Sequence, residues 1–394
     1  MKKHYLFLMS TRQLGGAELL LMDYFKFINY EKYSVTWSVN QDIFSPYLKK
    51  DSLPVKVMQL PKFNKEGIVK KYIKFYKYLQ EIKPDYIVFN QFLLRSFSLP
   101  ELIAGYIITK GKVFMIVHDC APPRITYKSR LHFGIIPGFG IEWRRERLFQ
   151  KLLVYFTKNT IAVSKATKEF LLKFHKFPQQ KIKITYHGVD VNKFTPSFEN
   201  RCSLRRHLNI PNSDTIIIST SRLDRIKRLE RLIESFGILA QQRKGLWLIF
   251  IGTGQEYNSL SSMVQSFNED VRRRVKFLGY REDVAPILAA CDIYVLPSDS
   301  EGFPLACLEA MSCGLISIVT NSGGQREIIK DGWNGFLVEK SMQEILDGLN
   351  KVLNLDNEQK SRISSNARSS IVANFNLQER VKYALSLLGI NNES

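Results

Sequence analysis

Short apolar runs alternate with amphipathic segments along most of the chain, and this alternation occurs in two successive series. Alternating strand-type and helix-type segments predict a parallel β-sheet that is covered by helices on both faces. Two such series therefore predict an α/β protein with two doubly wound, Rossmann-like domains. The predicted strands are residues 5–9, 35–39, 86–89, 113–117 and 160–163 in the first series, and 215–220, 247–251, 275–278, 293–296 and 316–319 in the second.

The length of the chain also favours two domains, because 394 residues are about two to three times a typical single domain. Loop and turn formers such as Pro196, Pro211 and Asn212 cluster within residues 190–214, which places the join there. We predict an N-terminal domain over residues 1–195 and a C-terminal domain over 205–370. Residues 371–394 are expected to form a C-terminal helix that packs back toward the first domain.

Features of membrane-spanning or secreted proteins are weak in this sequence. The apolar run 247–251 is far shorter than the roughly 20 residues that span a bilayer. The basic start at residues 1–4 precedes a short apolar stretch with no small-residue cleavage site, which is typical of a first strand. The five cysteines form no Cys-x-x-Cys pair, so neither a disulfide framework nor a thiolate metal site is indicated. We expect a cytoplasmic protein.

Positive charge is concentrated in the first half of the chain. Residues 1–190 hold 32 Lys+Arg and 14 Asp+Glu, a net +18 of the total +20. Such an excess indicates an anionic partner for this half, either nucleic acid or an anionic membrane surface. A general compositional bias toward lysine is the alternative explanation.

Two basic segments of the first half have the character of helices that lie on a membrane surface. Residues 62–83 mix lysines 65, 70, 71, 74 and 77 with aromatic and β-branched residues, and residues 133–149 combine arginines with Trp143 and other apolar side chains. We predict peripheral association with the cytoplasmic face of the membrane. The alternative is that the apolar residues face the core and the lysines are solvated.

Candidate site residues follow the predicted strand 293–296. Glu301 lies in the loop 297–304, and Glu309 lies in the helical segment that begins near Leu305. Gly302 allows close approach of a ligand to the backbone, Pro304 suits a first helical turn, and the helix N-terminus favours a diphosphate. Carboxylates beside such an anion can accept hydrogen bonds from sugar or ribose hydroxyls. Alternatively, Glu301 caps the helix and Glu309 faces solvent.

A second polar loop follows the predicted strand 215–220. Arg222 and Lys227 lie between this strand and an amphipathic helix whose apolar face includes Leu232 and Phe236. A guanidinium and an ammonium at a strand end can neutralise a leaving diphosphate. Alone, such a loop is more often a solvated basic turn.

Taken together, these segments resemble the donor domain of the family-4 retaining glycosyltransferases, whose GT-B fold has two Rossmann-like domains facing across a cleft. The resemblance covers most of residues 215–340. The matching motifs are residues 222–236, Gly252-Thr253-Gly254, Phe277-Leu278-Gly279, residues 292–298, Glu301, Gly302, Glu309, Ala310, Met311, Gly314, Gly323-Gly324 and Glu327.

The resemblance implies roles for individual residues. Arg222 and Lys227 are expected to bind the donor diphosphate, Glu309 the nucleotide ribose, and Glu301 the transferred sugar. The backbone of residues 302–305 is expected to meet the phosphates and sugar, and residues 278–280 the base. The implied donor-binding set is Gly15, Gly16, Arg222, Lys227, Gly279, Tyr280, Gly302, Phe303, Pro304, Leu305 and Glu309.

The match in the first half is shorter. Gly15-Gly16 opens a helix after the first strand and is similar to the glycine loop beneath the donor phosphates. His118-Asp119 follows the strand 113–117 and resembles a pair in the interdomain cleft, so both are expected to bind acceptor. An isolated histidine is otherwise more often structural, and His187 is given no catalytic part. The expected catalytic set is His118, Arg222, Lys227 and Glu301.

The mechanism implied by the resemblance is transfer with retention of anomeric configuration. The leaving diphosphate gains negative charge as the anomeric bond breaks, which Arg222, Lys227 and helix N-termini offset. No Asp-x-Asp sequence occurs, so we predict transfer without metal or other cofactor. Front-face attack needs no protein nucleophile, whereas a double displacement would require a carboxylate that the sequence does not identify.

We therefore predict a glycosyltransferase of cell-surface polysaccharide or glycolipid synthesis. Its expected partners are a nucleotide-sugar, a glycan or lipid-linked acceptor and an anionic membrane surface, with no nucleic acid. Three alternatives stay open: a sugar-nucleotide epimerase or hydrolase of the same fold, a basic nucleic-acid-binding protein, and a non-catalytic partner subunit. A nucleic-acid-binding protein would leave the ordered motifs of the nearly neutral second half unexplained.

Overall fold

The computed structural model describes residues 1–10, 15–62, 67–91, 99–118 and 155–391. The chain divides into two compact units: Met1–Tyr186 together with Arg380–Ser394, and His187–Glu379. Each unit contains one parallel sheet with helices packed against it. The prediction of two doubly wound α/β domains is confirmed.

The first unit is built on a seven-stranded parallel sheet with the order β3-β2-β1-β4-β5-β6-β7. Its strands are β1 Lys3–Met9, β2 Tyr33–Val39, β3 Val55–Gln59, β4 Tyr86–Gln91, β5 Val113–Val117, β6 Asn159–Ala162 and β7 Ile182–Ile184. Its described helices are α1 Gly16–Lys26, α2 Ser45–Lys50, α3 Ile68–Ile82, α4 Leu99–Thr109 and α5 Lys165–Lys173, with a 3₁₀ turn at Gln179–Lys181.

The second unit is built on a six-stranded parallel sheet with the order β10-β9-β8-β11-β12-β13. Its strands are β8 Thr215–Thr220, β9 Leu246–Ile251, β10 Val275–Phe277, β11 Ile293–Leu296, β12 Ile316–Thr320 and β13 Phe336–Val338. Its helices are α6 Phe198–His207, α7 Leu229–Gln242, α8 Tyr257–Gln265, α9 Glu269–Arg273, α10 Val284–Ala289, α11 Leu305–Ser312, α12 Met342–Leu353 and α13 Asn357–Asn374, and 3₁₀ turns lie at Arg225–Lys227 and Gly324–Glu327. Helix α14, Leu377–Leu387, begins in this unit and continues into the first.

The central strands are uniformly apolar because helices cover both faces of each sheet. Ile216, Ile217 and Ile218 of β8 are consecutive and completely buried, which is possible only in a strand with two covered faces. Helix α7 buries Leu232 and Phe236, as its apolar periodicity predicts.

The sequence analysis missed three strands, β3, β7 and β13, and all three lie at sheet edges. β13 alternates between buried and less buried side chains, β7 has one buried residue, and β3 has none. Edge strands have one neighbour and less cover. β7 and β13 are only three residues long and Lys56 interrupts β3, so none has the long apolar run that reveals a central strand.

The loop-like join expected at residues 190–214 contains helix α6 instead. Ser197 caps the helix, because its hydroxyl accepts a hydrogen bond from the Asn200 amide at 3.2 Å. Arg205 on this helix is completely buried and donates to the carbonyl of Ala290 and to the Asp292 carboxylate, at 3.2 and 2.7 Å. These bonds attach α6 to the second unit as part of its core.

The boundaries of the two units differ from the predicted domain ranges 1–195, 205–370 and 371–394. The amide of Val189 donates to the carbonyl of Phe375 at 2.9 Å, and Arg368 donates to the Phe194 carbonyl at 3.1 Å, so residues 187–196 belong to the second unit. The last residues belong to the first unit, where the Tyr5 hydroxyl donates to the Leu388 carbonyl at 3.2 Å.

Among the described residues, no helix has the length and apolarity that crossing a membrane requires. The basic segment at residues 133–149 lies outside the described residues.

Candidate active site

The loops that carry the predicted site residues of the second unit meet where its strand order reverses. Strand β8 lies between β9 and β11, so the chain winds outward in both directions from the β8–β11 pair. Ligands of doubly wound sheets bind at such a switch point, beyond the carboxyl ends of the strands. Residues 221–228 follow β8 and residues 297–304 follow β11, so both loops lie at this edge.

The structure joins the two loops through an ion pair between Lys227 and Glu301. Lys227 ends the 3₁₀ turn after β8, and its Nζ lies 2.6 Å from Oε1 of Glu301. The hydroxyl of Ser298 donates to the same oxygen at 2.6 Å. Both charged side chains are largely buried, with 17% of Lys227 and 10% of Glu301 exposed. The pair is therefore shielded from water, which strengthens its attraction.

Asp299 also links the two loops. Its carboxylate lies 3.1 Å from Nε of Arg228 and 2.8 Å from Nη1 of Arg231. Its amide donates to the Ile226 carbonyl at 2.9 Å. Since Ile226 and Arg228 flank Lys227, these contacts fix the turn that places the Lys227 ammonium.

Glycines allow the loops at this edge to approach one another closely. A Cβ on Gly252, which follows β9 and has φ +128°, would lie 2.0 Å from the Ser221 carbonyl oxygen. A Cβ on Gly324 would lie 2.2 Å from the Gly302 oxygen. Side chains at either position would push apart the backbones that form the site.

The remaining predicted residues of the second unit lie around these loops. Arg222 is partly exposed, and its Nη1 lies 2.6 Å from Oδ2 of Asp224. Glu309 is half-buried on α11, whose N-cap is Pro304. Gly302 and Phe303 are buried, and Leu305 is the first residue of α11. After β10, Gly279 has φ +66° and Tyr280 is 52% exposed.

A separate group of predicted residues lies in the first unit, whose strand order reverses at β1 and β4. Gly15 and Gly16 follow β1, and Gly16 begins α1. His118 directly follows β5 and is 8% exposed, and its Nε2 lies 2.6 Å from Oδ1 of Asn90. Asp119 lies outside the described residues.

His187 is placed as a structural residue by its surroundings. Its ring is buried and lies 5.8 Å from the ring of Phe303, centroid to centroid. Burial lowers the pKa of His187 to about 4, because desolvation disfavours the imidazolium. The ring is therefore neutral at physiological pH.

Three polar residues of these sites were not identified from the sequence: Ser298, Asp299 and Asn90. Ser298 and Asp299 stand between a buried strand and Glu301, so polar residues directly after an apolar strand were a usable signal. Asn90 lies within β4, where it interrupts an apolar run near the carboxyl end. In the described part of the chain, no three His, Cys, Asp or Glu side chains are grouped as metal ligands.

Solved structures share the architecture of this chain. HepE from Anabaena, in complex with UDP and glucose, matches with a TM-score of 0.77 over 98% of this chain and 99% of that chain, at 25% identity. WaaG, a glycosyltransferase involved in lipopolysaccharide biosynthesis, matches with a TM-score of 0.74 over 99% and 100%, at 16% identity. With its two doubly wound units, the chain thus has the GT-B fold.

Sequence relatives define the family within this class. Residues 200–370 match the family described as glycosyl transferases group 1, and residues 33–193 match glycosyltransferase family 4. The chain belongs to the family-4 glycosyltransferases, as its motifs predict. The UDP-Gal:alpha-D-GlcNAc-diphosphoundecaprenol alpha-1,3-galactosyltransferase of Escherichia coli is 29% identical over 73% of this chain and 80% of its own length. The N-acetyl-alpha-D-glucosaminyl L-malate synthase of Bacillus anthracis is 30% identical over 41% of each chain.

Proposed function

We propose that this protein transfers a sugar from a nucleotide-sugar to a glycan or lipid-linked acceptor, with retention of anomeric configuration and without a metal ion. The observation that carries the proposal is the shielded contact between Lys227 and Glu301 at the switch point of the second unit. A cation suited to a diphosphate thereby lies beside a carboxylate suited to sugar hydroxyls. Polysaccharide or glycolipid synthesis is the pathway class that fits such an acceptor.

The donor diphosphate is assigned to Lys227, Arg222 and the N-terminus of α11. Each already has a charge or dipole of the required sign, but Lys227 and Arg222 are paired with Glu301 and Asp224. An arriving diphosphate competes for both cations and brings more negative charge than either carboxylate. The Glu301 oxygens then accept hydrogen bonds from the sugar, and Glu309 accepts from the ribose.

The proposed reaction is a front-face substitution at the anomeric carbon. The bond from that carbon to the diphosphate oxygen breaks while the acceptor oxygen bonds on the same face. The proton of the acceptor hydroxyl passes to the departing phosphate oxygen, so no protein nucleophile is required. Lys227 and Arg222 stabilise the charge that develops on the leaving group. Metal independence is proposed because these cations can supply that charge and because the chain has no Asp-x-Asp sequence.

The nucleotide and the sugar are the first properties to test. The Escherichia coli relative takes UDP-Gal, and the HepE structure holds UDP and glucose, so UDP-hexoses are the first candidates. A thermal-shift screen with UDP-, GDP- and ADP-sugars is expected to show stabilisation by one nucleotide class, with EDTA causing no change. Stabilisation by none of them would contradict the proposal.

Product analysis separates the proposed reaction from its alternatives. NMR of the product is expected to show the same anomeric configuration as the donor, and an inverted linkage would contradict the retaining mechanism. Release of free sugar or an epimerised nucleotide-sugar, with no transfer to any acceptor, would instead identify a hydrolase or epimerase.

Association with an anionic membrane is proposed from helix α3. Phe75 and Leu79 are buried in the core of the first unit, whereas Val69 and Ile73 are 69% and 47% exposed. Lysines 70, 74 and 77 are exposed on the same helix. Exposed apolar side chains among lysines suit the interface of an anionic bilayer, at the cytoplasmic face where a lipid-linked acceptor would be met.

Co-sedimentation with vesicles tests this placement. The protein is expected to bind vesicles that contain phosphatidylglycerol at low salt, and Ile73→Asp is expected to weaken binding. The control Ile238→Asp, which alters a 39% exposed residue of α7 in the second unit, is expected to leave it unchanged. A wild-type protein that stays in the supernatant would contradict membrane association, and a mobility shift with nucleic acid at moderate salt would favour that partner instead.

A further inference from the structure

We propose that Asn90 is a positioning residue that fixes the tautomer and ring orientation of His118. This inference deepens the proposed function, because it assumes that His118 contacts donor sugar or acceptor. It starts from the register of the first sheet. Asn90 on β4 lies opposite Met9 of β1 and Ile116 of β5, next to the strand end that His118 follows.

The hydrogen bonds of the Asn90 amide determine which of its two ends faces His118. Its Nδ2 lies 3.2 Å from the Met9 sulfur and 3.4 Å from the Ala17 carbonyl oxygen. Both atoms can only accept, so the donating NH₂ group must point toward them. The flipped amide would place its oxygen against the Ala17 carbonyl oxygen, which is repulsive. The amide oxygen Oδ1 therefore faces His118.

The tautomer of His118 follows from this orientation. Nε2 lies 2.6 Å from Oδ1 of Asn90, and an amide oxygen cannot donate, so Nε2 carries the hydrogen. In the neutral ring, Nδ1 then holds the lone pair and is the nitrogen that accepts. Asn90 and His118 are 1% and 8% exposed, so the contact is shielded from competing water.

The Asn90 amide also connects the His118 ring to the start of α1, next to the glycine loop. Ala17 follows Gly15 and Gly16 at the start of α1, and its carbonyl accepts from Asn90. One side chain thus connects the loop after β1 with the histidine after β5. A ring held in this way keeps one orientation, which is what recognition of a single substrate group requires.

Nitrogen-15 NMR of the imidazole in the substrate-free protein tests the tautomer directly. We expect wild-type His118 to carry its hydrogen on Nε2, with slow exchange against solvent. Asn90→Asp keeps an acceptor oxygen toward Nε2 but sets its second oxygen against the Ala17 carbonyl, so it is expected to keep the Nε2 hydrogen with weaker protection, whereas Asn90→Leu is expected to lose the protection. Asn40→Leu is the matched control, because Asn40 follows β2 at the same sheet edge and donates to the Ser10 hydroxyl at 3.0 Å.

Turnover provides the second readout. Misplacement of the ring in Asn90→Leu is expected to lower kcat/KM by about 10- to 100-fold, with Asn90→Asp less affected and Asn40→Leu close to wild type. An Nδ1-protonated wild-type ring, or full turnover in a folded Asn90→Leu, would overturn the inference. Absence of turnover in the wild type with every nucleotide-sugar would instead contradict the proposed function, while the NMR result still decides the tautomer.

Discussion

The two units have the same sheet architecture but carry different chemistry where their strand orders reverse. In the second unit, the β8–β11 edge is held by ion pairs, with Lys227 against Glu301 and Asp299 against two arginines. In the first, the β1–β4 edge carries a network of amide, imidazole and carbonyl groups around Asn90 and His118. Ion pairs suit a charged ligand such as a diphosphate, whereas the Asn90–His118 network suits hydroxyl groups.

The proposed reaction gives the two edges different tasks. The leaving group of the proposed reaction gains negative charge, so its site needs cations that are held in place before the bond breaks. The acceptor hydroxyl needs orientation more than charge. Dividing these tasks between two sheets lets each switch point be specialised for one of them.

The largest expected effect follows from removing the carboxylate of the second unit. Glu301→Gln is expected to lower kcat by roughly 100-fold or more, because it removes the charge that binds the sugar in the transition state. Binding of the free nucleoside diphosphate is expected to persist or tighten, since Lys227 loses its competing partner. Steady-state kinetics and calorimetry measure the two quantities.

Glu234→Gln is the control for this prediction, because Glu234 is exposed on α7 in the same unit. Equal turnover in Glu301→Gln and Glu234→Gln would show that the charged edge is structural.

Replacing a loop glycine by alanine is expected to lower stability more in the second unit than in the first. Gly252→Ala should cost at least about 3 kcal/mol of stability, because it combines a positive φ with a Cβ 2.0 Å from the Ser221 oxygen. Gly15→Ala should cost much less, since Gly15 has an extended backbone and, among the described residues, its Cβ would meet only the Glu18 carboxylate, at 3.0 Å. Thermal unfolding followed by circular dichroism compares them, and equal losses would refute the difference.

A smaller effect is expected when the ion pairs of Asp299 with Arg228 and Arg231, which flank Lys227, are weakened. Asp299→Asn removes the charge that holds Arg228 and Arg231, and it is expected to raise the donor KM about tenfold with a smaller change in kcat. Glu269→Gln removes the exposed pair with Arg273 and should leave KM near the wild-type value. A KM for Asp299→Asn that matched this control would show that the ion pairs of Asp299 do not position Lys227.

The smallest effect at neutral pH concerns His187. Its folded pKa of about 4 lies below the unfolded value of 6.5, so the unfolded chain binds the extra proton between these values. Its contribution to stability is therefore present above pH 6.5 and lost as the pH falls toward 4. From about pH 7.5 to about pH 5.5 the loss amounts to about 1 kcal/mol. His187→Asn should flatten this part of the stability profile, and an unchanged slope would contradict the burial of a neutral ring.

The central strands and the charged loops were predictable from the sequence for the same reason. A strand covered on both faces, such as β8, must be apolar throughout, and a polar loop directly after it then stands out. Arg222, Lys227 and Glu301 were singled out as candidates in this way. The edge strand β3 was missed because its half-covered side chains show no continuous apolar run.

The partners of the site residues were not predictable in the same way. The contact between Lys227 and Glu301 joins residues that are 74 positions apart, and it depends on β8 and β11 being neighbours in the sheet. Asn90 was missed because a single amide that interrupts an apolar strand is a weak signal, and its importance comes from the neighbours that the strand order gives it.

The central claim is that the cations at the charged edge of the second unit, and not the Asn90–His118 network of the first, hold the donor diphosphate. Calorimetric titration of UDP into the wild type, Lys227→Met and His118→Ala tests it most directly. We predict that Lys227→Met weakens binding by roughly 30- to 100-fold, equivalent to the loss of one shielded charge contact, while His118→Ala binds UDP like the wild type. Unchanged affinity in Lys227→Met would contradict the account.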